Sequence, residues 1–167
     1  MEIIRGSVQD IDQDNSVLEN LSLSMSYLYC VSIYSRIFMY ELQDGQDVDF
    51  TIKEFQDVFY DWKDGEFYTK KKVAGSIDAS NYADSQNQVF FNFSHDSTCN
   101  SLDKVAKHTN VFWQEVTAHF TLPPTHVYVH IPVQGSVFDE GIFWQFCYIY
   151  LNNNTKQGIV LSAHAFD

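Results

Sequence analysis

Cysteine is scarce in this chain: three residues, at positions 30, 99 and 147, odd in number, far apart and without C-x-x-C spacing. That pattern excludes a disulfide framework and suits reduced, buried thiols in a cytoplasm. Glycine and proline are few as well, seven and three in 167 residues, and with a hydrophobic fraction of 45% this excludes a disordered, collagenous or low-complexity chain. Cations are the third shortage. Ten Lys and Arg stand against 22 Asp and Glu, and the formal charge of −12 repels phosphate backbones and anionic lipid, so neither a nucleic-acid partner nor a membrane partner is expected. The longest apolar stretch, Tyr27 to Leu42, holds Ser32, Ser35, Arg36 and Glu41 and falls short of the ~20 apolar residues of a membrane helix. The opening Met1-Glu2-Ile3-Ile4-Arg5-Gly6 lacks the apolar centre and small-residue cleavage site of an export signal, which predicts a cytoplasmic protein. The N-x-S/T triplets at Asn20, Asn92 and Asn153 are then without consequence. G-x-G-x-x-G, P-loop, H-E-x-x-H and G-x-S-x-G are all missing, so the expectation is a non-enzymatic protein with no cofactor and no catalytic residues.

What is present predicts one α+β domain over residues 1–167, since this length buries a real core but not two comfortable ones. Leu21, Leu23, Met25, Tyr27, Tyr29, Val31 and Ile33 alternate with small or polar residues. The serines do not forbid a helix there, but seven alternating apolar positions fit a period of two and predict a long strand. Asp44-Gly45 marks a turn. Thr51 and Glu54 then form a capping box ahead of a helix with Ile52, Phe55, Val58, Phe59 and Trp62 on one face, expected to end near Asp64-Gly65. Phe67-Tyr68 with Val73 suggests a strand, Ser76 to Gln88 a polar loop, and Val89 to Phe93 another strand. A second helix is expected from a cap at Asn100 or Ser101 to about Phe120, where Pro123-Pro124 stops it. Val127, Val129 and Ile131 read as a strand, and Phe143–Leu151 with Ile159–Phe166 as a C-terminal hairpin. The sum is an antiparallel sheet packed against two main helices.

The acid is unevenly distributed. Residues 1–66 carry 14 acidic and 4 basic side chains, net −10, against 8 and 6, net −2, in residues 67–167. Glu54, Asp57 and Asp61 lie at i, i+3 and i+7 of the capped helix and would form one repulsive stripe that a cationic partner relieves. Asp44, Asp47, Asp49, Glu54, Asp57, Asp61 and Asp64, with Tyr60 and Trp62 as aromatic anchors, are therefore the expected partner-binding residues. Such a surface fits an immunity or inhibitor protein that neutralises a basic toxin, for example a nuclease, and a nucleic-acid mimic is an alternative of the same charge logic.

Other constellations are weaker. Asp10-x-Asp12-x-Asp14-Asn15-Ser16-Val17 opens like a calcium loop but has Leu21 where the bidentate Glu belongs. Asp44, Asp47 and Asp49 have a generic spacing for a hard cation. His108, Glu115 and His119 share a helical stripe, yet His108 is two turns, about 10 Å, from the other pair, so no metal site is expected. His126 and His130 are ~13 Å apart along a strand, and His95-Asp96-Ser97-Thr98-Cys99 puts catalytic residue types in sequence rather than in space. A small-ligand or enzymatic site near His108, Glu115, His119, Tyr128 and His130 is the alternative of a different class.

Overall fold

The computed structural model describes residues 1–11, 17–26, 29–60, 74–96, 101–133 and 142–166. Among these, six strands form one sheet, every neighbouring pair antiparallel: β1 (Glu2–Asp10), β2 (Cys30–Glu41), β3 (Gly75–Ala79), β4 (His126–Pro132), β5 (Ile142–Asn152) and β6 (Gln157–Phe166), in the order β1-β2-β6-β5-β4-β3. Four helices accompany it: α1 (Val17–Met25), α2 (Ile52–Val58), α3 (Tyr82–Asp96) and α4 (Leu102–His119). The fold is α+β, and β5 and β6 form the expected C-terminal hairpin.

Both faces of the central strands are apolar because both are covered. Trp144, Phe146, Tyr148 and Tyr150 of β5 pack with Leu21 and Met25 of α1, Val89 and Phe93 of α3, and Phe112 and Val116 of α4. Cys147, Ile149 and Leu151 turn to the opposite face, under Phe50 and under Phe55, Val58 and Phe59 of α2. The sheet thus lies between a three-helix layer and a thinner one made by α2 and the segment that leads into it.

The structure corrects three expectations about elements. Residues 21–25 are helical, not the start of a long strand. Leu18, Leu21, Ser22 and Met25 are buried at helical spacing while Leu23 is 67% exposed. The serines do not break this helix because each finds an acceptor one turn back: Ser22 Oγ donates to Leu18 O at 2.8 Å, Ser24 Oγ to Asn20 O at 2.8 Å and Ser26 Oγ to Ser22 O at 2.7 Å. Ser22 Oγ and Ser26 Oγ also accept from the backbone of Ile33 and Val31 in β2, before β1 begins its pairing at Arg36.

Where a loop from Ser76 to Gln88 and a strand from Val89 to Phe93 were expected, Gly75–Ala79 is strand β3, paired with β4, and residues 82–96 are a helix. Asn81 Oδ1 accepts from the amides of Ala83 and Asp84, an N-cap, and Ser85, Val89, Asn92 and Phe93 are buried at helical spacing. Asn92 is 3% exposed and donates to Gln145 O at 3.1 Å, so it is no glycan acceptor. Finally, α2 ends at Val58 with Phe59 as C-cap, short of Asp64-Gly65. The strand expected at Phe67-Tyr68 and Val73 lies outside the described residues.

One buried cation holds α2 to the sheet. Arg36 of β2 is 3% exposed. Its Nε–H is shared between Asp10 Oδ1 at 2.9 Å and the Tyr34 hydroxyl at 2.5 Å, and Nη1 donates to Val58 O at 2.8 Å, the last carbonyl of α2. Tyr34 donates to the same Asp10 oxygen, and the guanidinium lies over the rings of Tyr34 and Phe59. Burial, together with the bond to Asp10, pushes the Tyr34 hydroxyl far up, which keeps it a donor.

Two outcomes follow. Arg36→Met removes the bonds to Val58 O and to Asp10 together and is expected to cost about 1–3 kcal/mol in chemical denaturation, more than Asp10→Asn, whose half-exposed amide oxygen still accepts from Nε; the reverse order would show that the bond to Val58 is not what holds α2. Gly158 faces Phe38 across β2 and β6, and a Cβ there would come within 2.2 Å of the ring. Gly158→Ala is expected to lower stability by about 1–3 kcal/mol, read as a fall in Tm.

Candidate functional site

The segment after β2 turns at Gln43–Gln46, where Gln46 N donates to Gln43 O at 2.9 Å and Gly45 takes a φ of +76°, a conformation that suits glycine in the third position of a turn. It then packs onto the sheet through Leu42, Val48 and Phe50. Phe50 lies 6.0 Å from the ring of Phe38 and 6.0 Å from that of Tyr128. With these residues turned inward, Asp44, Asp47 and Asp49 are left exposed on a backbone anchored from below. Burial raises the pKa of Tyr128, a backbone hydrogen bond from Phe50 opposes the rise, and the charge of Asp49 adds to it.

The remaining expected residues fare differently. Glu54 is buried: its carboxylate accepts from Thr51 N at 2.8 Å and from the Thr51 hydroxyl, closing the capping box while Thr51 Oγ1 accepts from Lys53 N at 3.3 Å. It does not face a partner. Asp57, half-buried, is 3.5 Å from the guanidinium of exposed Arg5, a pair near the surface of the kind worth at most about 1 kcal/mol. Tyr60 is 42% exposed, lies 5.1 Å under the same guanidinium and donates to Arg5 O at 3.4 Å. Asp61, Trp62 and Asp64 lie outside the described residues. The stripe of Glu54, Asp57 and Asp61 is therefore not formed by its first two members, which turn to the cap and to β1.

The structure adds two acids that sequence reasoning left out of the site. Glu2 and Glu41, both exposed, stand directly opposite each other in the β1–β2 ladder, a like-charge pairing that destabilises. They line a polar hollow of about 550 Å³ with Arg5, Gln43, Gln46, Lys53 and Asp57. Only the strand register brings Glu2 there, and no local pattern announces a pairing 39 residues apart.

The other constellations are dispersed. Asp10 is committed to Arg36 and Tyr34, and Asp12, Asp14, Asn15 and Ser16 lie outside the described residues. Among the described residues no three His, Cys, Asp or Glu side chains form a group able to hold a metal. His119 bonds Glu115 at 3.1 Å on α4. His130 stacks on Phe55 at 4.7 Å and Tyr128 packs beside Phe50, both on the α2 face, opposite the layer that contains α4. His108, Glu115, His119, Tyr128 and His130 thus do not line one pocket. His126 Nδ1 bonds Thr125 Oγ1 at 2.9 Å, and His95 Nδ1 bonds Phe91 O at 2.8 Å. Cys30 and Cys147 are free thiols, and burial pushes the Cys147 thiol far up, away from the reactive thiolate; Ser97 to Cys99 lie outside the described residues. Among the described residues no helix is long and apolar enough to cross a membrane.

No protein-family description and no curated protein matches the chain. Among solved structures, the fold is similar to that of citrus MAF1: in one crystal form the likeness has a TM-score of 0.52 at 10% sequence identity, over 90% of this chain and 98% of that one. A second crystal form of citrus MAF1 gives a TM-score of 0.48 at 13% identity, over 90% and 99%. At 10% identity the first likeness shows the fold alone.

Proposed function

We propose that this is a non-enzymatic cytoplasmic binding protein that holds a basic protein partner at the acid-rich surface beside α2, in the manner of an immunity protein neutralising a basic toxin. The observation that carries the reading is the exposure of Asp44, Asp47 and Asp49 on a segment that is anchored to the core by buried Phe50 and half-buried Leu42 and Val48. Carboxylates held in place lose little entropy on docking, and they speed encounter with a cationic surface. The Glu2 and Glu41 pair adds repulsion that a Lys or Arg placed between them relieves. Asp57 joins by exchanging Arg5 for a partner's cation, and Tyr60 supplies an aromatic contact at the rim.

Co-expression with the product of the neighbouring gene is expected to yield a complex that salt weakens. Asp44→Lys with Asp47→Lys and Asp49→Lys should slow its association at least about tenfold at low salt, by stopped flow, with Tm little changed. Unaltered association would remove the reading, and competition by duplex DNA for that partner would favour the nucleic-acid mimic instead.

A second reading rests on the fold likeness, which spans nearly the whole of both chains: the protein would be a MAF1-like protein. It predicts that this chain restores the wild-type phenotype in cells that lack their own MAF1, and failure at matched expression would argue against it.

A further inference from the structure

On the opposite side of the sheet α1 packs against α4, and a cleft of about 470 Å³ opens between them, within the ~300–1,000 Å³ range of small-molecule sites. Leu21 and Val111 supply apolar lining, and Asn20, Lys104, Lys107 and His108 supply polar groups. Three features set it apart from ordinary surface. Among the described residues neither lysine has an ion-pair partner, although the chain carries a net charge of −12. His108 Nδ1 is buried and has no hydrogen-bond partner among the described residues, which is costly for a polar atom unless something satisfies it. The carboxylates nearest in sequence, Glu19 on α1 and Asp103 on α4, are exposed and do not line the cleft.

We propose that the cleft between α1 and α4 binds a small amphipathic anion, a carboxylate or phosphate monoester on a short apolar chain. The two ammonium groups of Lys104 and Lys107 hold the anionic head, Leu21 and Val111 take the chain, and the His108 ring rotates to bring its buried Nδ1 to the head group, gaining the hydrogen bond it lacks. Burial, with Lys107 and Lys104 beside it, lowers the pKa of His108, so the imidazole is neutral near pH 7 and one ring nitrogen can donate while the other accepts. The site shares no residue with the acid-rich surface, so it stands or falls independently of the partner proposed there.

The test is an NMR titration of the full chain at low salt with hexyl phosphate and with hexanoate, following the His108 ring and the Leu21 and Val111 methyl groups. At least one of the two anions is expected to shift all three sites saturably, and whichever binds more tightly identifies the head group. Hexanol and inorganic phosphate, each lacking half of the ligand, should bind at least tenfold more weakly. Lys104→Gln combined with Lys107→Gln, both exposed, should weaken binding of the preferred anion at least tenfold while the rest of the spectrum stays that of the wild type. No saturable shift with either anion, hexanol or inorganic phosphate binding as tightly as the preferred anion, or an affinity unchanged in the double variant would overturn the proposal.

Discussion

The guanidinium of Arg36 is the contact on which the acid-rich surface depends. A helix of seven residues has too few hydrogen bonds to persist alone in water, and α2 is held at both ends instead. Thr51 and Glu54 close its N-terminus, Arg36 takes the carbonyl of Val58 at its C-terminus, and Phe55, Val58 and Phe59 fill the face between. The segment carrying Asp44, Asp47 and Asp49 runs from the end of β2 to the cap of α2, so its course is set by those same anchors. Arg36 therefore spends its one charge inward, on Asp10 and on the helix end, and leaves the outer carboxylates without compensation from it.

The two sides of the sheet differ in their electrostatics. At the end of the β1–β2 ladder Glu2, Glu41 and Asp57 line a hollow with Arg5 and Lys53, and Asp44, Asp47 and Asp49 are exposed on the segment that follows β2. Across the sheet, Lys104 and Lys107 face a cleft that no carboxylate lines among the described residues. A net charge summed over the chain conceals this contrast, and it is the local balance that a ligand meets within a Debye length of about 10 Å.

Much of the architecture was legible in the amino-acid order, and the failures have physical causes. The capping box, α4 with its stop at Pro123-Pro124, β4 and the C-terminal hairpin all follow from local signals that tertiary packing reinforces. α1 differs from the expected strand because Leu21, Leu23 and Met25 alternate with serine, and only packing against the sheet and α4 decides that Leu18, Leu21 and Met25 are the buried set. α3 was misread because Val89 to Phe93 has strand-forming residues, whereas Phe91 is 57% exposed and Val89 and Phe93 are fully buried. At the candidate site the sequence pointed to the right segment but not to each residue: Glu54 serves the cap, and Glu2 arrives through strand register.

The central claim is that negative potential is gathered beside α2 in a form that a cationic protein surface can use. Chemical-shift mapping of the full chain with a lysine decapeptide at low salt tests this most directly. Saturable shifts confined to Glu2, residues 41–49 and α2, fading as salt is added, are the result the account predicts. Shifts of equal size over α3, α4 and the hairpin turn would mean that the acid acts as a diffuse coat, and the docking surface would have no basis.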